Sequence, residues 1–111
     1  MSELARSTCV PCRGGESPLD RQQAALHLAK LDPAWALSEG SRQLSREFRF
    51  DSYNRTIAFV NAVAWIAEAQ DHHPDLQVGY RKCTVRYTTH AIKGLSLNDF
   101  ICAAKIDALL T

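Results

Sequence analysis

Apolar and polar positions alternate with two different periods along this chain, and the switches between them mark its elements. Residues 52–70, SYNRTIAFVNAVAWIAEAQ, set Ile57, Val60, Val63, Ala64 and Ala67 along one stripe, widened by Phe59, Ala62 and Ile66. Steps of three and four are the period of a helix with one buried face, so this segment is the strongest predicted helix and the expected centre of the core. Pro74 closes it, because the residue before a proline avoids the α region, and His73 is thereby pushed toward an extended conformation. An earlier helix is predicted over Pro18–Leu31, with Ser17 as cap, Asp20 near the positive end of the dipole, and Ala24, Ala25, Leu28 and Leu31 at helical spacing. The period then falls to two. Trp35–Leu37 and Gln43–Phe50 read as a hairpin about the turn SEGS, with Leu44, Phe48 and Phe50 on one face and Ser45, Glu47 and Arg49 on the other. DLQVGY (75–80) and KCTVRYTT (82–89) form a second hairpin in which Cys83, Val85 and Tyr87 oppose Thr84, Arg86 and Thr88. Gly94 turns the chain, Ser96 and Asp99 make a capping box, and a last helix carries Phe100, Ala103, Ala104, Asp107, Leu109 and Leu110. The order α-β-β-α-β-β-α predicts an α+β fold, a four-stranded antiparallel sheet with helices packed on one face.

Residues 1–16 lack such a period and contain cysteine, proline and paired glycine, so they are expected to form a flexible N-terminal arm before a single domain over 17–111. On that boundary, removing the arm should leave folding and activity largely intact. The composition, 46% hydrophobic and 23% charged with a net charge of +1, suits a globular domain and disfavours direct nucleic-acid binding. No apolar run reaches membrane-spanning length and the N-terminus has no signal-like apolar core, so a cytoplasmic protein with no membrane partner is expected. Cys9 and Cys12 in CVPC have the spacing of half a zinc site, but Cys83 and Cys102 do not supply the matching pair, and the setting that activates a redox thiol is missing.

Histidine changes charge near neutrality and either donates or accepts a proton there. Two of the four histidines, His72 and His73, are adjacent in AEAQDHHPD, where a helix must end, and neighbouring helical positions point about 100° apart, so one buried partner cannot serve both. The second hairpin returns His90 toward them, since its second strand ends where its first begins. His27, alone on the first helix, is expected at the surface.

The run EAQDHHPDLQVGYRKCTVRYTTHAIKGLSLND strongly resembles the pterin-4a-carbinolamine dehydratase family, through Glu68, His72, His73, Pro74, Tyr80, His90 and Asp99. Six or seven residues at fixed separations are far more specific than one dipeptide. The resemblance implies the same element order and a hydro-lyase that dehydrates 4a-hydroxytetrahydropterin to quinonoid dihydropterin, supporting tetrahydropterin recycling without metal or organic cofactor. It implies His72 and His90 as the proton-transfer pair and His73 as a residue that binds and orients the pterin. Glu68, Asp71, Pro74, Trp35, Thr88, Thr89 and Asp99 are candidates for substrate binding: Trp35 by stacking, Thr88 and Thr89 through their main chain. Asp99 has a competing role as a helix cap, Tyr80 one in packing. The alternatives are a non-catalytic dimerisation or regulatory partner protein, and a pterin-related role in molybdopterin metabolism. A homodimer or homotetramer is expected, to cover the open sheet.

Overall fold

A computed structural model describes residues 2–38 and 40–110; Glu39, inside the predicted SEGS turn, lies outside the described residues. The elements run α1 (Glu3–Arg6), α2 (Arg21–Leu28), β1 (Ala36–Ser38), β2 (Gln43–Arg49), α3 (Tyr53–Gln70), β3 (Asp75–Val78), β4 (Lys82–Tyr87), a single 3₁₀ turn (His90–Ile92) and α4 (Leu97–Ala108). The strands make one antiparallel sheet in the order β1-β2-β4-β3. Its register sets Leu44 opposite Tyr87, Phe48 opposite Cys83 and Asp75 opposite Arg86. The expected α+β architecture is therefore present, with the short α1 added in front.

Period two does what it predicts in β4. Cys83, Val85 and Tyr87 are buried beneath the helices while Thr84 and Arg86 remain partly exposed. The centre of the core lies elsewhere than the apolar pattern suggests, however. Helix α3 buries only Thr56, Phe59, Val63 and Ala67, and leaves Ala64 and Trp65 exposed. Helix α4 buries eight residues, Asn98 through Ala104 and Ile106, because α1, α2 and α3 all pack against it. Its capping box is formed as expected. The first long helix is shorter than predicted: Asp20, not Ser17, is its cap, accepting from the Gln23 amide, and Ala25 faces solvent.

The N-terminal segment lies against the domain. Leu4 and Ala5 join the core cluster, and Lys105 Nζ donates to the Ala5 carbonyl at 2.8 Å. Farther on, the Leu19 amide donates to the Leu95 carbonyl, which brings Pro18 over Gly94. A Cβ at Gly94 would stand 2.6 Å from Pro18 Cβ, a separation at which something must move. Gly94→Ala is expected to cost about 1–3 kcal/mol, as overpacking does, and to lower Tm by several degrees in a thermal melt; an unchanged Tm would show that the Pro18 segment yields freely.

Candidate active site

Helix α3 ends in a motif that decides where the paired histidines go. Asp71 adopts the left-handed conformation at φ 51°, its amide donates to the Glu68 carbonyl, and the His72 amide reaches back to the Ala67 carbonyl at 3.1 Å. These two bonds are the Schellman pattern, usually built on glycine; aspartate is among the few other residues that tolerate the conformation. The chain then runs extended into Pro74. His72 turns inward, with 13% of its side chain exposed, and His73 outward, with 59% exposed.

Behind His72 stands Asp99, wholly buried at the start of α4. His72 Nε2 and Asp99 Oδ1 are 2.6 Å apart, and the imidazole lies parallel to the Tyr87 ring at 5.6 Å between centroids. The other carboxylate oxygen, Oδ2, accepts from the Thr89 hydroxyl at 2.8 Å and from the Ser96 amide at 2.9 Å. Burial works against a charged imidazole, but the hydrogen bond and negative charge of Asp99 outweigh it, with help from Cys9 and Asp71, and hold His72 above the ordinary histidine value.

The hairpin completes the cluster. Since Asp75 pairs with Arg86, the residues before β3 and those after β4 share one end of the sheet. There His72, His73 and His90 line a single cleft of about 460 Å³, together with Asp71, Thr88 and Thr89. That volume falls in the range of small-molecule sites, about 300–1,000 Å³. His90 is exposed at the head of the 3₁₀ turn.

Several candidates lie apart from this cleft or do other work. Trp35 is buried against Phe48, and its indole Nε1 donates to Asp107 Oδ1, an oxygen that also holds Arg46; it is a core residue away from the histidines. Asp99 caps α4 and supports His72 from behind the wall, without lining the cleft. Thr89 has its amide committed to the Gly94 carbonyl and its hydroxyl to Asp99, so that amide is not free for a ligand. The Thr88 hydroxyl donates to the Arg42 carbonyl at 2.7 Å. Glu68 is exposed, 3.7 Å from His73 Nε2, and neither it nor Pro74 lines the cleft. Tyr80 stacks on Tyr53 at the surface. His27 is half-buried against Phe100 rather than at the surface, and burial, with Lys30 nearby, pushes it below the ordinary histidine value.

Other lining residues were not foreseen from the sequence: Gln70, Asn98 and the segment Thr8–Cys12. Cys9 Sγ lies 3.6 Å from Cys102 Sγ, and Cys12 Sγ accepts from Asn98 Nδ2. Among the described residues, no three or more histidine, cysteine, aspartate or glutamate side chains gather as a metal site, and no helix is long and apolar enough to cross a membrane.

Known proteins resemble this chain in sequence and in fold. The family described as Pterin 4 alpha carbinolamine dehydratase matches residues 17–109. A protein of Nitrosomonas eutropha, provisionally named a pterin-4-alpha-carbinolamine dehydratase, is 54% identical over 97% of this chain and 94% of its own. A Stenotrophomonas maltophilia protein with the same provisional name is 54% identical over 96% of this chain and 90% of its own. Among solved structures, a transcriptional coactivator/pterin dehydratase from Brucella melitensis superposes with a TM-score of 0.80 at 27% identity, covering 86% of this chain and 100% of that one. A pterin dehydratase-like protein identified as a RuBisCO assembly factor in the alpha-carboxysome has a TM-score of 0.60 at 26% identity, covering 68% and 88%. With the family matched over most of its length and relatives at about half identity, the chain belongs to the pterin-4a-carbinolamine dehydratase family.

Proposed function

We propose that this chain is a hydro-lyase converting 4a-hydroxytetrahydropterin to quinonoid dihydropterin, and so serves the recycling of tetrahydropterin. The observation that carries the reading is the convergence of His72, His73 and His90 on one cleft, with a buried carboxylate behind His72. The C4a hydroxyl is a poor leaving group until protonated. His72, held toward its charged form by Asp99, is suited to protonate it. Its Nε2 is committed to Asp99, which leaves Nδ1 for exchange with substrate. As the C4a–O bond breaks and water departs, the electron pair of the N5–H bond forms the C=N bond, and His90 takes the N5 proton. Being exposed, His90 then returns that proton to solvent, while His73 orients the pterin.

The test is the dehydration rate of chemically generated carbinolamine with purified, chelator-treated protein. Acceleration that survives chelation supports the reading, whereas a well-folded protein that accelerates nothing overturns it. The second reading, a protein-binding role, is favoured by the two structural neighbours, one named a transcriptional coactivator and the other an assembly factor. It predicts a partner interaction that survives loss of His72 and His90. Assembly as a homodimer or homotetramer belongs to both readings, because Thr84 and Arg86 lie on a sheet face that the helices leave open; sedimentation of the purified chain decides it.

A further inference from the structure

The histidines account for one side of the cleft, and the N-terminal segment supplies another. Of the fifteen residues that line it, five are Thr8, Cys9, Val10, Pro11 and Cys12, although they precede the matched family region at residue 17. The body of the domain holds this stretch in place. The Cys9 amide donates to Gln70 Oε1 at 2.9 Å, at the last turn of α3. Asn98, 4% exposed on α4, grips Val10 from both sides of its backbone: its Oδ1 accepts from the Val10 amide at 3.0 Å, and its Nδ2 donates to the Val10 carbonyl. The Cys9 thiol donates to the Asn98 carbonyl, which closes a third link. The bonds to the Cys9 and Val10 backbone fix the segment without engaging the Val10 and Pro11 side chains.

Val10 is left 67% exposed. An apolar residue held open at a binding cleft has a use that a structural strap lacks. In the cleft that the imidazoles also line it makes, with Pro11 and the two sulfurs, an apolar and polarisable surface. A bicyclic nitrogen heterocycle needs both kinds of wall, one for its nitrogen- and oxygen-bearing edge and one for its ring face.

We propose that residues 8–12 are a substrate-binding strap: Val10 and Pro11 form the wall for the ring face of the pterin, and Asn98 is the positioning residue that sets the strap's height above the histidines. This deepens the dehydratase reading and rests on it. It also revises the expectation that residues 1–16 are dispensable, since removing them would open the cleft on one side and uncover the core around Leu4 and Ala5.

The experiment uses the full-length protein, with Val10→Gly/Pro11→Gly as its main variant. Both side chains are exposed, so folding is not at stake. The expected result is a rise in KM of about tenfold, the effect of losing one apolar contact of this size, with kcat and its pH profile within about twofold of wild type. Asn98→Ala should shift KM in the same direction, which a purely structural role confined to Tm would not do. Binding of an unreactive dihydropterin, followed by fluorescence, should weaken in parallel in both variants. Unchanged KM and unchanged dihydropterin affinity in the folded double variant would overturn the strap. If wild type binds dihydropterin but does not dehydrate the carbinolamine, the catalytic reading fails, and the binding measurement still decides the strap.

Discussion

His72→Ala and His90→Ala are each expected to lower kcat for carbinolamine dehydration by about 10²- to 10⁴-fold, the usual worth of a positioned acid or base. The two variants should differ in every other respect. His90 is exposed, so its loss should leave Tm nearly unchanged. Loss of His72 leaves Asp99 Oδ1, a buried carboxylate oxygen, without its imidazole and should lower Tm as well. Because the losses fall on one reaction, the double variant should be little worse than either single one. Full activity in a folded double variant would remove both residues from the mechanism.

Asp99→Ala should be the most destabilising substitution considered, at about 3–5 kcal/mol, since deleting one member of a buried pair leaves the other uncompensated. Three groups lose their acceptor together: His72 Nε2, the Thr89 hydroxyl and the Ser96 amide. Asp99→Asn keeps the shape and removes the charge, and so isolates the electrostatic effect. The pair raises the folded-state value of His72 above its unfolded value of about 6.5. Its contribution to stability is therefore fully present below about pH 6.5 and is lost as the pH rises through the raised folded value. In Asp99→Asn that dependence should flatten in denaturant titrations at several pH values. The limb of the kcat profile that reports the acid should also move to lower pH, so that turnover at neutral pH falls. A pH profile identical to wild type would show that Asp99 serves only as a helix cap.

Much of this was readable from residue patterns, and the exceptions have physical causes. Alternation in β4 set Cys83, Val85 and Tyr87 inward, and hairpin geometry alone brought His90 toward His72, because pairing of adjacent strands needs no knowledge of the rest of the chain. The depth of α4 was not readable. Half of its eight apolar residues are small, and the packing of three other helices around it makes eight of its twelve positions internal, Asn98 and Asp99 among them. Leu4 and Ala5 are too few to show a period, so the segment that carries them resembled an unattached arm. Trp35 offered a plausible ring for stacking, yet its indole proton is claimed by Asp107, seventy-two residues away, a pairing that no local pattern reveals. The left-handed Asp71 did have a signal: an aspartate just past the last periodic residue of a helix and ahead of an X-Pro pair.

The buried carboxylate of Asp99 has a consequence for how this protein would behave under stress. It ties together the exit of α3, the turn that carries His90, and the first turn of α4. The His72 imidazole therefore lacks its carboxylate partner until the C-terminal helix has docked. Partly folded chains that keep their hairpins but not that helix would be silent, and warming or mild denaturant should extinguish turnover before it erodes the far-ultraviolet circular dichroism signal. Turnover by this molecule is expected to report the fraction of chains whose last helix is home.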